Sequence, residues 1–343
     1  MKFKTWVSII TLVLLIGVIY FARDELIQAW QLLGQVNLGI LFWMIPVQIF
    51  SYYATGAIIF SYLRAKGNVK HLTHWQMTRI ALELNFVNHI LPSGGAVGFS
   101  YLGWLLSKHG VKPGRATMAQ IVRFAFTFIS FVMLLIIAVI VVAFDGAMNA
   151  LVWLLSAGLV LSAAFASIAT LYIIKSERRL KKFAHWVAGI GNKVVRIVSR
   201  KKRKEIIAYE TIERFLEELH QDYLELRKEK KILIVPYIWA TIANIADVAL
   251  LCIAFLSLGV WANPAMILIA FGISSIVSAL TVTPGGAGVY EAIMIAFLAS
   301  AGVNPEVAIL GTLLARVLLI MGTIVFGYIF YQLTILKYGK RPA

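Results

Sequence analysis

Two proline–glycine breaks, 192 residues apart, interrupt long apolar runs in this chain. The second reads TVTPGGAGVYE, from Thr281 to Glu291. Such a break leaves backbone N–H and C=O groups without helical partners. In hydrocarbon each of them is costly, so broken backbone at membrane depth must be buried in protein or line a wet cavity. Sliding the chain by 192 positions lays Pro284 on Pro92, Gly286 on Gly94, Val289 on Val97, Gly302 on Gly110, Val303 on Val111, Pro305 on Pro113 and Ala308 on Ala116, without a gap. Prolines and glycines coincide by chance far less often than leucines in an apolar chain. The spacing therefore reads as an internal duplication.

Composition enters because it fixes the solvent. Of 343 residues, 60% are hydrophobic and 14% charged, which excludes an ordinary soluble domain. The formal charge of +16 raises the question of nucleic acid. No binding motif accompanies it, and the basic residues lie between runs long enough to span a bilayer, so no nucleic-acid partner is expected. Lone Cys252 allows no intrachain disulfide. Lys2 and Lys4 precede the first run in the manner of a signal sequence. No small-x-small cleavage site follows, so that run reads as an uncleaved anchor.

Six runs read as full spans: Thr5–Ala22, Leu38–Leu63, Ala116–Phe144, Ala147–Ile174, Ile232–Leu258 and Pro305–Leu336. Trp75–Leu91 and Phe99–His109 flank the first break; Pro264–Leu280 and Ala287–Ala301 flank the second. Phe99–His109 would be about 16 Å long as a helix, too short to cross, so each pair reads as a re-entrant hairpin. The expected fold is an all-α polytopic membrane protein with about six full helices and two re-entrant hairpins in an inverted-topology repeat. Its expected parts are 1–37 (anchor and external loop), 38–174 (first repeat, hairpin 75–109), 175–231 (basic cytoplasmic loop) and 232–343 (second repeat, hairpin 264–301).

Charge sets the orientation. With the N-terminus in the cytoplasm, all but four of the 32 Lys and Arg fall in cytoplasmic segments, the exceptions being Arg23, Arg79, Arg123 and Arg316. That asymmetry is the positive-inside pattern, with both termini cytoplasmic. It also sets the two hairpins entering from opposite faces, although two full crossings per pair would give the same parity. The loop 175–231 carries Arg200-Lys201-Lys202-Arg203-Lys204 and then a Glu/Leu-rich helical pattern, Glu205 to Leu226. It reads as a helical hairpin on an anionic leaflet.

Ionisable groups within apolar segments are functional candidates. The first hairpin carries Arg79, Glu83, Asn85, Asn88 and His89. Arg79 and Glu83 lie four apart on one face, where they either neutralise each other or serve a substrate. Arg123 is ten residues past Pro113 and Arg316 eleven past Pro305, one position out of strict register. Asp247 lies mid-span, with Asn244 on the same face, and Glu291 opens the segment after the second break. Two readings are open. Either the arginines pair with Asp247, Glu291 or Glu83 to hold helices together, or they bind phosphate at the bottom of a cavity. Gly94 and Gly95, with Gly285, Gly286 and Gly288, would let a head group approach helix N-termini, or would simply permit tight packing.

The stretches LNFVNHILPSGGAVG and, more specifically, TVTPGGAGVYEA resemble the lysylphosphatidylglycerol synthase transmembrane family, over about residues 5 to 336. This is the flippase-like domain found at the N-terminus of multiple peptide resistance factors and as stand-alone proteins. Where some members carry an acidic residue after the first motif, this chain has Phe99-Ser100-Tyr101. The resemblance implies translocation of a phospholipid or another anionic envelope lipid between leaflets of a prokaryotic plasma membrane. It does not imply lysyl-lipid synthesis, since only seven residues follow the last span. No catalytic residue, metal or cofactor is expected, because no nucleophile motif, metal-ligand cluster or nucleotide-binding motif is present. The alternative is a non-catalytic accessory membrane protein that docks an envelope enzyme through its basic loop; the partners expected are such an enzyme or a second copy of the chain.

Overall fold

The structure, a computed structural model, describes residues 34, 36–90, 96–144, 150–174, 176, 178, 179, 182, 229–279, 286 and 288–339. The run Thr5–Ala22, both proline–glycine breaks apart from Gly286 and Gly288, and the basic loop from 183 to 228 lie outside the described residues. Among those described, regular structure is helical throughout. It comprises α1 (Leu38–Leu41), α2 (Met44–Ala65), α3 (His74–Ile90), α4 (Ala96–Ser107), α5 (Pro113–Phe144), α6 (Ala150–Ile174), α7 (Ile234–Ser257), α8 (Pro264–Ala279), α9 (Val289–Ser300) and α10 (Pro305–Tyr338). A 3₁₀ turn, Lys230–Leu233, leads into α7. Among the described residues, four stretches are long and apolar enough to cross a membrane: Leu38–Ala65, Gly114–Phe144, Lys231–Ser257 and Pro305–Tyr338. The chain is a multi-pass membrane protein. It divides into two compact units, Met1–Val160 with Val235–Ala343, and Leu161–Ile234.

The elements recur with the 192-residue shift seen in the sequence. Moved by that interval, α2, α3, α4 and α5 start within two residues of α7, α8, α9 and α10. The helix stops match as well. Gly67 and Gly259 adopt φ of 80° and 76°, and Gly110 and Gly302 adopt 78° and 91°. Each closes a helix in the left-handed region that favours glycine. The bonds that follow are also paired: Val111 N–H donates to Leu106 O at 3.1 Å and Val303 N–H to Leu298 O at 3.0 Å. Pro113 and Pro305 then start the long helices, where the missing N–H costs nothing. Helix α4 begins three residues earlier than the expected Phe99, directly after the break, and ends at Ser107 before this turn.

Packing crosses between the halves. The second arm of each short pair lies on its own long helix, α4 on α5 and α9 on α10. The first arm lies on the long helix of the other half, α3 on α10 and α8 on α5. Ring contacts fix the ends. His109, in the turn after α4, stacks on His71 before α3 (centroids 6.0 Å apart) and on Tyr338 at the end of α10 (5.9 Å). At the start of α1, Asn37 N–H donates to Ser257 O at the end of α7 (2.7 Å). The α3–α4 pair thus opens toward the end of α10, whereas the α8–α9 pair opens toward its start. The main core cluster gathers residues of α5, α7, α8, α9 and α10, with Phe255, Met294 and Leu314 fully enclosed. Phe144, Leu154 and Phe165, by contrast, are exposed, as an outer surface facing lipid requires.

Candidate functional site

The described part of the bundle contains a cavity of about 210 Å³ between α2, α3, α7, α8, α9 and α10. Its polar wall comes first from α2, where Ser51, Tyr52 and Thr55 line it. With Gln48 these residues follow an i, i+3, i+4, i+7 spacing, which puts them on one helical face. Gln48 Nε2 donates to Tyr52 Oη and to Leu319 O, each at 2.8 Å, and Tyr52 Oη also bonds Thr323 Oγ1. These bonds tie α2 to α10 and leave the wall rigid. Gly322 makes the close approach feasible, since a Cβ there would overlap the Gln48 amide.

The charged groups come from the second half. Arg316 lines the cavity, its Nε donating to Glu291 Oε1 at 3.0 Å. Glu291 is buried, and its other oxygen accepts the N–H of Gly288 at 2.7 Å, capping α9. The guanidinium also lies over the Tyr290 ring, 4.6 Å from its centroid. Asp247 faces the same space from α7. Its Oδ1 accepts a hydrogen bond from Ser51 Oγ at 2.5 Å. Among the described residues it forms no ion pair. About two turns of α10, from Arg316 to Thr323, complete the lining, together with Asn85 of α3 and Phe271 of α8. Among the described residues the wall offers a guanidinium shared with Glu291 and a carboxylate that accepts from Ser51, groups able to meet both charge signs.

Other sequence candidates lie elsewhere. Glu83 is fully buried and saturated: it accepts from Arg79 Nε (2.9 Å) and Thr334 Oγ1 (2.7 Å) on one oxygen and from Tyr101 Oη (2.6 Å) on the other. Arg79 Nη2 also donates to Thr334 Oγ1 at 2.9 Å. That network clamps α3 to α4 and α10. Asn88 packs directly on Gly98, where a Cβ would collide with its amide. Arg123 is buried in α5 over the Phe124 ring and does not line the cavity. Only the Arg316–Glu291 member of the pairings weighed from sequence for the two arginines is formed among the described residues. Gly286 is buried against Ser278, while Gly288 is exposed. Gly94, Gly95, Gly285 and the His89 side chain lie outside the described residues.

Residues 6–327 match the sequence profile described as the lysylphosphatidylglycerol synthase TM region. The chain belongs to that family. It is also similar to a UPF0104 membrane protein of Methanothermobacter thermautotrophicus, 25% identical over 240 residues, 68% of this chain and 67% of the relative. For this member, sequence reasoning missed Ser51, Tyr52, Thr55 and Thr323. The signal was present in the polar stripe of α2, Gln48 to Thr55, but hydroxyl side chains are common in membrane helices and carry no charge to draw the eye.

Proposed function

We propose that the protein moves a phospholipid or related envelope lipid between the leaflets of a prokaryotic plasma membrane, without group-transfer chemistry. In this reading both termini are cytoplasmic, and six full spans surround two re-entrant pairs, α3–α4 and α8–α9, arranged as an inverted-topology repeat. Supporting it are the opposite openings of the two pairs, the short α4 and α9 (12 residues each, about 18 Å) and membership of the family.

The observation that carries the reading is the cavity lined by Asp247 and by Arg316, which pairs with Glu291. At about 210 Å³ it suits a polar head group and not a whole lipid, so the acyl chains would remain in the bilayer. A phosphate would share Arg316 with Glu291, while a hydroxyl or ammonium group would be held by Asp247. Ionisable groups at membrane depth are functional-site candidates by default.

The test is leaflet exchange of labelled phospholipid in vesicles containing the purified chain. Exchange above that of empty vesicles, reduced in Arg316→Ala, is expected. Rates indistinguishable among wild type, Arg316→Ala and protein-free vesicles would defeat the proposal.

A further inference from the structure

The internal repeat sets two arginines in comparable helices, and their surroundings differ. Arg316 on α10 meets Glu291. The 192-residue shift carries Glu291 onto Phe99, so the first half has no carboxylate at the matching place. Arg123 is also one position away from strict register, which falls on Phe124. One residue is about 100° around a helix. Phe124 is 42% exposed, while Arg123 is 8% exposed and directed inward. The offset thus keeps a cation out of lipid and turns it into the bundle.

There it is left with unmet hydrogen-bonding capacity. Arg123 Nη1 is buried and, among the described residues, has no hydrogen-bond partner. Gln120, one turn earlier on the same face of α5, is 1% exposed, and neither its Nε2 nor its Oε1 has a partner there. Two adjacent polar side chains, both more than nine-tenths buried and both unsatisfied, are unusual in a native interior. Such groups point to a ligand or solvent that completes them. Neither residue belongs to the cavity described above.

Chemistry narrows the ligand. Arg123 Nη1 and Gln120 Nε2 donate, whereas Gln120 Oε1 accepts. An oxyanion that also carries an O–H satisfies all three; an ionised carboxylate supplies no donor, and a metal cation is repelled by the guanidinium. Phosphate with a protonated oxygen fits, as the free ion or as a monoester head group. Position adds to this. Arg123 is about 15 Å along α5 from the bundle end marked by His109 and Tyr338. Arg316 is about 17 Å along α10 from the opposite end.

We propose that Gln120 and Arg123 form a second oxyanion site, selective for a phosphate group bearing a hydroxyl, nearer the bundle end opposite the entrance of α10. As a station for a transported head group it rests on the translocation reading; as a binding site it does not.

The full chain in dodecylmaltoside micelles tests this by thermal unfolding with sodium phosphate, with dihexanoylphosphatidate or with uncharged dihexanoylglycerol. Wild-type protein is expected to melt several degrees higher with the phosphorylated lipid and to be unmoved by dihexanoylglycerol. Arg123→Met and Gln120→Leu are each expected to shrink that shift and weaken the apparent affinity roughly tenfold or more. The ligand-free melting temperature of Arg123→Met should be unchanged or raised, because an uncompensated buried cation has been removed. A shift produced by sodium phosphate as well assigns the free ion as a ligand; one confined to phosphatidate assigns the lipid. No shift with either, or curves for both variants that superpose on wild type, would overturn the site. If Arg123→Met does not fold, Gln120→Leu decides alone. Leaflet exchange on the same preparations separates the two proposals: exchange without a melting shift removes the site and leaves transport, and a shift without exchange does the reverse.

Discussion

Glu83 and Asp247 are both carboxylates on apolar helices, and the protein holds them in opposite ways. Glu83 accepts three hydrogen bonds from three different helices and has no exposure. Among the described residues Asp247 accepts one, from a serine, and it borders a cavity. A saturated buried ion pair resists change, because removing one partner strands the others. A carboxylate with spare lone pairs beside empty volume is available to a ligand. Glu83 in the first half is closed off by its partners, whereas Asp247 in the second borders open volume.

The comparison breaks most readily at Glu83. Glu83→Ala strands Arg79 and leaves Tyr101 and Thr334 without their acceptor, at an expected cost of about 3–5 kcal/mol. Asp247→Ala, losing a single hydrogen bond, should cost about 1 kcal/mol. Chemical unfolding of the two variants in the same detergent measures the difference, and equal losses would erase the distinction.

Next in size is the packing that supports the Glu83 clamp. A Cβ on Gly327 of α10 would overlap Phe86 of α3, so Gly327→Ala is expected to destabilise by about 1–3 kcal/mol. Gly288, at the N-cap of α9, has φ of 84° but open space around it. Gly288→Ala should cost only the backbone term, about 1 kcal/mol. The order of the two melting temperatures checks this.

Function should rank the acids the other way. Asp247→Asn keeps the shape and an acceptor for Ser51, so melting should barely move while leaflet exchange falls at least about tenfold, or about 1.4 kcal/mol on the barrier. Retention of full exchange by Asp247→Asn would show that the spare carboxylate is not used.

The smallest effect concerns pH at the bundle end. Burial, then the neighbouring His71 and Lys337, hold the His109 imidazole below its ordinary value. The folded protein therefore favours neutral His109. Its contribution to stability is full above the ordinary histidine range, near pH 6.5, and is lost as pH falls through the lowered value. His109→Phe should flatten the acid side of a melting-temperature profile, and an unchanged profile would remove His109 as its source.

Much of this architecture was legible before any fold was known. Coinciding prolines and glycines announced the duplication because those residues act locally: Gly110 and Gly302 stop helices, and Pro113 and Pro305 start them, whatever the surroundings. Arg79 and Glu83 were readable as a pair because their spacing is four. Their true environment was not, since Tyr101 and Thr334 come from 18 and 251 residues further along the chain. Arg123 and Arg316 looked alike in sequence. A one-residue offset, about 100° of helix, gave them different neighbours.

By itself, then, the amino-acid order determined which of the described segments are helical and where prolines and glycines bound them. Those properties follow from backbone sterics and from the cost of polar groups in hydrocarbon, both written residue by residue. Tertiary packing alone decided which charges meet. It gave Glu83 a closed shell, gave Asp247 an open one, and left Arg123 Nη1 without a hydrogen-bond partner among the described residues, because partnership depends on helices hundreds of residues apart being brought face to face at one rotation.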